Sequence, residues 1–139
     1  MALVAITHTP PPALERGERT YVSRSPIDMG LARRQHAAYC NLLRELGVAV
    51  TTLDVNRDHA DAVFVEDTAL VLDELAVMMM PGAESRRPEP AGIEPELAKY
   101  REIRRISLPG TVDGGDIVVV GKQVFVGASQ RSNEAGATA

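Results

Sequence analysis

The chain has 139 residues, 45% of them hydrophobic and 24% charged, with a formal charge of -4 and no apolar run near the roughly 20 residues a membrane-spanning helix needs. Fifteen basic residues are scattered among nineteen acidic ones, and three tyrosines and two phenylalanines leave little to stack on bases, so neither a membrane nor a nucleic acid is an expected partner. The single cysteine, Cys40, excludes an internal disulfide and a paired-cysteine metal site, and the N-terminus has no basic region of the signal-peptide kind, so a cytoplasmic setting is expected.

In chain order, "ALVAIT" (2–7) reads as a short buried strand that the proline cluster at 10–12 stops. "LERGERTYVSR" (14–24) mixes charges, Gly17 and Thr20 without sustained periodicity, and reads as a mobile, lid-like loop. Ser25 as N-cap and Pro26 at the first helical position then open a helix. Its inward face is expected to carry Leu31, Ala38, Leu42 and Leu46, flanked by Ala32, Tyr39 and Leu43, and Gly47 closes it. "VAVTTLD" (48–54) is a strand. Strand, loop, helix, strand is α/β logic.

"VFV" (63–65) also reads as strand, but two adjacent carboxylates, Glu66 and Asp67, interrupt the apolar run before it resumes. Two close carboxylates raise each other's pKa unless a cation is shared, and a guanidinium with its several N–H donors suits that role. A solvated turn at a strand end is the other reading.

An internal repeat shifts the balance. "DTALVLDELAVMMMPGAESR" (67–86) and "DIVVVGKQVFVGASQR" (116–131) each begin with an aspartate, run through a β-hairpin and end in Gly-Ala-x-x-Arg. The turns fall at Asp73-Glu74 and Gly121-Lys122. Gly82 and Gly127 lie 45 residues apart, as do Arg86 and Arg131. "GIEPELAKYREI" (92–103) between the hairpins is helical in composition and "RISL" (105–108) is a strand. The unit is therefore ββαβ, of about 45 residues, and such units stack or close on one another. Asn133 reads as the N-cap of a third helix, "EAGATA".

"TVDGGD" (111–116) fits neither a Walker loop nor a dinucleotide fingerprint, because a strand follows it. It is either a plain turn or a place where glycines let the backbone crowd a ligand while Asp113 aims a carboxylate at a histidine or a cation. Arg86 and Arg131, at matched places in the repeat, suggest a fork for a carboxylate; surface arginine is the alternative. Acids for a guanidinium and arginines for a carboxylate describe an arginine-like ligand, whose α-amine Asp61 could take. Cys40 reads as a buried inert thiol, Met78 to Met80 as core, and His8, His36 and His59 have no metal-ligand spacing. No metal or cofactor is implied.

Together, "DAVFVED", "PGAESRR", "GTVDGGDI" and "QRSN" resemble the dimethylarginine dimethylaminohydrolase (dimethylargininase) family, in the arginine deiminase and amidinotransferase group. The resemblance implies a pentein-type α/β propeller of ββαβ modules, of which residues 1–139 form a single incomplete domain, roughly the first half of a five-module fold. It implies hydrolysis of methylated L-arginine to L-citrulline and a methylamine through a cysteine-linked amidino intermediate, without cofactor. By motif, Asp113 matches the acid that orients the catalytic histidine, Glu66 and Asp67 the guanidinium carboxylates, Arg86 and Arg131 the α-carboxylate binders, Asp61 the α-amine contact and Phe64 a neighbour of the site. Arg19 stands where the family's lid usually has a leucine.

The family's histidine and cysteine have no counterpart among these residues, so the 139-residue polypeptide alone is expected to be inactive. The alternatives are a catalytically dead arginine-binding or assembly module, and a hydrolase for arginine or another guanidino compound. The expected partners are a guanidino small molecule and, through open sheet edges, a second copy or a missing C-terminal half.

Overall fold

A computed structural model describes residues 3–19 and 21–139. Ala2, placed in the first expected strand, and Thr20, in the expected loop, lie outside the described residues. The chain packs as two compact units, one ending at Val65 and the other beginning at Glu66.

In the first unit, β1 (Val4–His8) and β2 (Ala49–Leu53) pair in parallel, from Val4 opposite Ala49 to His8 opposite Leu53. Both are rich in β-branched residues, and prolines end the first as expected. A parallel pair needs a crossover, and helix α1 (Met29–Glu45) supplies it. The expected start at Ser25 and Pro26 is a turn too early. Asp28 is the N-cap, its carboxylate accepting the Leu31 N–H at 2.9 Å; both residue types cap well, and the one that reaches an unpaired amide decides. Gly47, at φ 82°, closes the helix as expected.

The inward face of α1 also differs from the reading above. Leu31, Ala38, Leu42 and Leu46 are exposed, whereas Ala32, His36, Cys40 and Leu43 are the more covered residues. Two apolar stripes run side by side on this helix, and hydrophobicity alone does not say which one meets the sheet. Cys40, buried as expected, has its Sγ 3.7 Å from Thr7 Oγ1 and 3.8 Å from the His36 ring. Burial and the nearby His8 ring lower the His36 pKa.

The expected strand at 63–65 does not form. Backbone bonds from Ala62 N to His59 O (3.2 Å) and from Phe64 N to Asp61 O (2.9 Å) close turns there, and a 3-10 turn, Val65–Thr68, follows. Val63 and Val65 have strand composition, but a strand needs a ladder partner as well as propensity.

In the second unit, β3 (Ala69–Val71) and β4 (Leu75–Met78) form the first hairpin. Leu72 N donates to Leu75 O across Asp73 and Glu74, the turn read from the sequence. Helix α2 (Glu89–Leu97) begins and ends earlier than the expected 92–103, and β5 is Glu102–Arg105, three residues ahead of the expected 105–108. Pairing explains the shift: β5 lies parallel to β4, from Leu75 opposite Glu102 to Met78 opposite Arg105, so the chain must leave the helix by about residue 98 to reach that register. Ala76, Met78, Met79, Ile93, Leu97 and Val112 form the core here.

The second hairpin is β6 (Ile117–Val120) and β7 (Gln123–Val126), turning at Gly121 with φ 60°. Helix α3 (Glu134–Ala137) follows, and Asn133 Oδ1 accepts the Gly136 N–H at 2.8 Å, the cap read from the sequence.

Candidate functional site

Glu66, Asp67, Arg86 and Asp113, all in the second unit, sit on or next to three short 3-10 turns: Val65–Thr68, which begins at the last residue of the first unit, Glu84–Arg86 and Gly114–Asp116. Glu66 and Asp67 therefore stand on a turn, not at the end of a buried strand. Glu66 is exposed, while Asp67 is held from two sides. Arg86 Nη1 donates to Asp67 Oδ2 at 2.6 Å, and the Gly115 N–H donates to Asp67 Oδ1 at 3.1 Å. A charge-assisted bond and a backbone donor together fix the carboxylate's plane.

Gly114 crowds the acid pair's own backbone, and Gly115 lies against the Asp67 carboxylate. A Cβ on Gly114 would lie 2.0 Å from the Glu66 carbonyl oxygen, so no larger residue fits without moving one of the two turns. "DGG" is thus the packing surface for "ED".

Arg86 is 2% exposed. Beyond Asp67 it donates through Nε and Nη2 to Glu89, at 2.8 Å for the shorter Nη2 contact, so the carboxylates it grips here are the protein's own. Burial works against its charge, yet the hydrogen bonds and charges of Glu89 and Asp67 prevail and hold it protonated more firmly than an ordinary arginine. Glu89, 1% exposed, escaped the sequence reading. Its signal was present, because residues three apart near a helix N-terminus face one another.

Asp113 is 3% exposed. It accepts the Gly82 N–H at 3.3 Å and Arg131 Nη1 at 3.3 Å, so the cation it meets is the repeat's second arginine. Burial pushes its carboxyl above the ordinary aspartate range. The Gly82 N–H and the Arg86 and Arg131 charges pull the other way, and the Asp67 charge adds to the rise. The Asp113 amide donates to Ser132 Oγ at 3.1 Å, and Ser132 Oγ donates to Asp116 Oδ2 at 2.6 Å. Asp116 also accepts Ser129 Oγ at 2.7 Å, so a serine–aspartate knot ties the turn bearing Asp113 to the segment bearing Arg131.

In the first unit, Asp61 is buried, and its two carboxylate oxygens accept the Glu18 N–H at 3.2 and 2.9 Å. It anchors the segment read as a loop, which contains one 3-10 turn, Leu14–Arg16. Arg19 Nη1 donates to the Ser23 carbonyl at 3.1 Å and Phe64 is exposed. Among the described residues no group of His, Cys, Asp and Glu could hold a metal ion, and no helix is long and apolar enough to cross a membrane.

Small sheets with helices place this chain among mixed α/β proteins, and the relatives narrow that class. The family model described as N,N dimethylarginine dimethylhydrolase, eukaryotic, matches residues 22–139. The dimethylarginine dimethylaminohydrolase of Streptomyces coelicolor is 40% identical over 133 residues, covering 95% of this chain and 52% of that protein. The Pseudomonas aeruginosa enzyme, solved in complex with citrulline, superposes with a TM-score of 0.92 at 37% identity, over 99% of this chain and 55% of that one. The N-terminal domain of ArgZ, a cyanobacterial arginine dihydrolase, shares the fold at a TM-score of 0.78 and 16% identity. The chain belongs to the dimethylarginine dimethylaminohydrolase family. It spans about half the length of the curated relatives it matches.

Proposed function

We propose that residues 1–139 form the substrate-holding part of an amidine hydrolase that converts methylated L-arginine to L-citrulline and a methylamine. The observation that carries this reading is Asp67: a carboxylate on a turn, oriented by Arg86 and Gly115, with exposed Glu66 beside it. Two acids so placed suit the delocalised charge of a guanidinium. Asp113 takes the role of the acid that orients a histidine; its buried carboxyl, which accepts the Gly82 N–H, is suited to that. Arg131, with a side chain 34% exposed, is the more exposed of the two arginines assigned to an α-carboxylate, and Arg86 combines that role with bracing Asp67. Asp61 is assigned to the α-amine, Phe64 to packing near the substrate and Arg19 to the family's lid.

The 139 residues bind but do not turn over on their own. Their one cysteine, Cys40, is buried on the side of α1 that faces Thr7 of β1, which keeps its thiol from acting as a nucleophile. The histidine and cysteine come from the remaining modules of the propeller, of which these residues form roughly the first half, in a cytoplasmic protein. The bare second hairpin supports association with that half or with a second copy.

Isothermal calorimetry with L-arginine and asymmetric dimethylarginine tests the assignment. Asp67→Asn should lower affinity about tenfold or more, and an unchanged affinity counts against it. Release of citrulline by the purified 139-residue protein would refute the division between binding and turnover. Light scattering on the same sample should show species larger than a monomer.

A further inference from the structure

Glu89 is the buried acid that the binding scheme leaves unused. It sits in the first turn of α2, 1% exposed, and takes two of the three donor nitrogens of the Arg86 guanidinium, while Asp67 takes the third, Nη1. The connection continues from Asp67 Oδ1 to the Gly115 N–H, so Glu89, Arg86, Asp67 and Gly115 form one hydrogen-bonded line.

The charge along that line is uneven. One guanidinium faces two carboxylates, which leaves a net charge of about one negative in low-dielectric surroundings. The two carboxylates are not equivalent. Glu89 is sealed at one end, whereas the Asp67 side chain is 17% exposed at the other. An Asp67–Arg86 pair alone would be neutral and would hold little attraction for a cation. With Glu89 occupying Nε and Nη2, part of the arginine's charge is committed elsewhere and the surplus negative charge appears at Asp67.

We propose that Glu89 is a positioning residue that keeps Asp67 oriented and electrically unsatisfied, so that the site prefers a cationic guanidinium over the neutral ureido group of the product. This rests on the assignment of Asp67 to the guanidinium. It adds a consequence for turnover: when hydrolysis removes the substrate's positive charge, the surplus at Asp67 has nothing left to hold, which favours departure of citrulline.

The experiment compares L-arginine with L-citrulline by calorimetry on the 139-residue protein and its Glu89→Gln and Glu89→Asp variants, alongside backbone and arginine side-chain NMR. Glu89→Gln should lower arginine affinity about tenfold and citrulline affinity less than about twofold. Equal losses for both ligands, or no loss, would overturn the proposal, because a purely structural role does not distinguish ligand charge. Glu89→Asp keeps the charge but shortens the reach. It should shift the Gly115 amide and Arg86 Nε–H resonances while retaining the preference for arginine; resonances that stay in place in both variants overturn the proposal. The NMR arm needs no ligand. If the wild type binds neither compound, the substrate assignment fails and the Gly115 amide still decides whether Glu89 positions Asp67. If Glu89→Gln does not fold, Glu89→Asp decides through the Gly115 amide and Arg86 Nε–H resonances, and resonances left in place overturn the proposal.

Discussion

The two hairpins of the second unit are written in nearly the same alphabet and live in different surroundings. In β3–β4, Ala76 and Met78 are buried, β5 pairs along the outer edge of β4 and α2 packs against it. In β6–β7, Val118, Val119, Val120, Val124 and Phe125 are exposed and the sheet has two strands. Propensity makes both hairpins; neighbours bury only one. The arginines that follow them diverge in the same way, Arg86 locked between Glu89 and Asp67, Arg131 half-buried against Asp113. Equivalence in a repeat is thus equivalence of backbone path, and each side chain takes its role from what its own module packs against it.

The largest effect that would test this contrast comes from the arginines. Arg86→Ala strands two carboxylates and should cost about 3–5 kcal/mol, because one partner of a buried charge network is removed. Arg131→Ala removes a cation that is one third exposed and leaves the buried Asp113 with the Gly82 N–H, so it should cost less, about 1–2 kcal/mol. Urea unfolding of the two variants measures both, and similar losses would erase the distinction.

The repeat's paired glycines give the next contrast. A Cβ on Gly82 would lie 2.4 Å from Arg131 Cα, whereas on Gly127 the nearest atom is the Asp116 carbonyl oxygen at 3.6 Å, an ordinary contact. Gly82→Ala should therefore cost about 1–3 kcal/mol through backbone displacement. Gly127→Ala should stay within about 0.5 kcal/mol. Thermal unfolding would expose a false repeat assignment if the order were reversed.

The smallest effect concerns the aspartates. Burial raises the Asp113 carboxyl, so the folded protein holds that proton more tightly than the unfolded chain does. The resulting stabilisation is full below the unfolded aspartate value and is lost as pH rises through the folded one. Asp113→Asn carries a side chain that never ionises, so it should melt above the wild type at neutral pH, with the gap closing in acid. A gap that widened in acid would mean that the pull of Arg131 and the Gly82 N–H outweighs burial.

Much of this was legible in advance. The strand–helix–strand order of the first unit, both hairpin turns, the Asn133 cap and the acid doublet all follow from local signals: β-branched runs, turn residues, a capping side chain, charges out of place. The misplacements share a cause. The strand expected at 63–65 has no ladder partner, α2 gives up residues to β5 because the register with β4 demands it, and α1 presents the second of two adjacent stripes to its sheet. Each outcome depends on a distant segment. Glu89 belongs with them: its spacing from Arg86 was visible, but its burial was not.

By itself the sequence determined the alternation of elements, the 45-residue repeat and the residue types of the proposed guanidino site, because propensity, periodicity and charge are properties of short stretches. Tertiary structure alone decided which carboxylate Arg86 holds, what Gly114 is small for and which hairpin is covered. Those are matters of contact between turns tens of residues apart, and contact is a property of the folded chain.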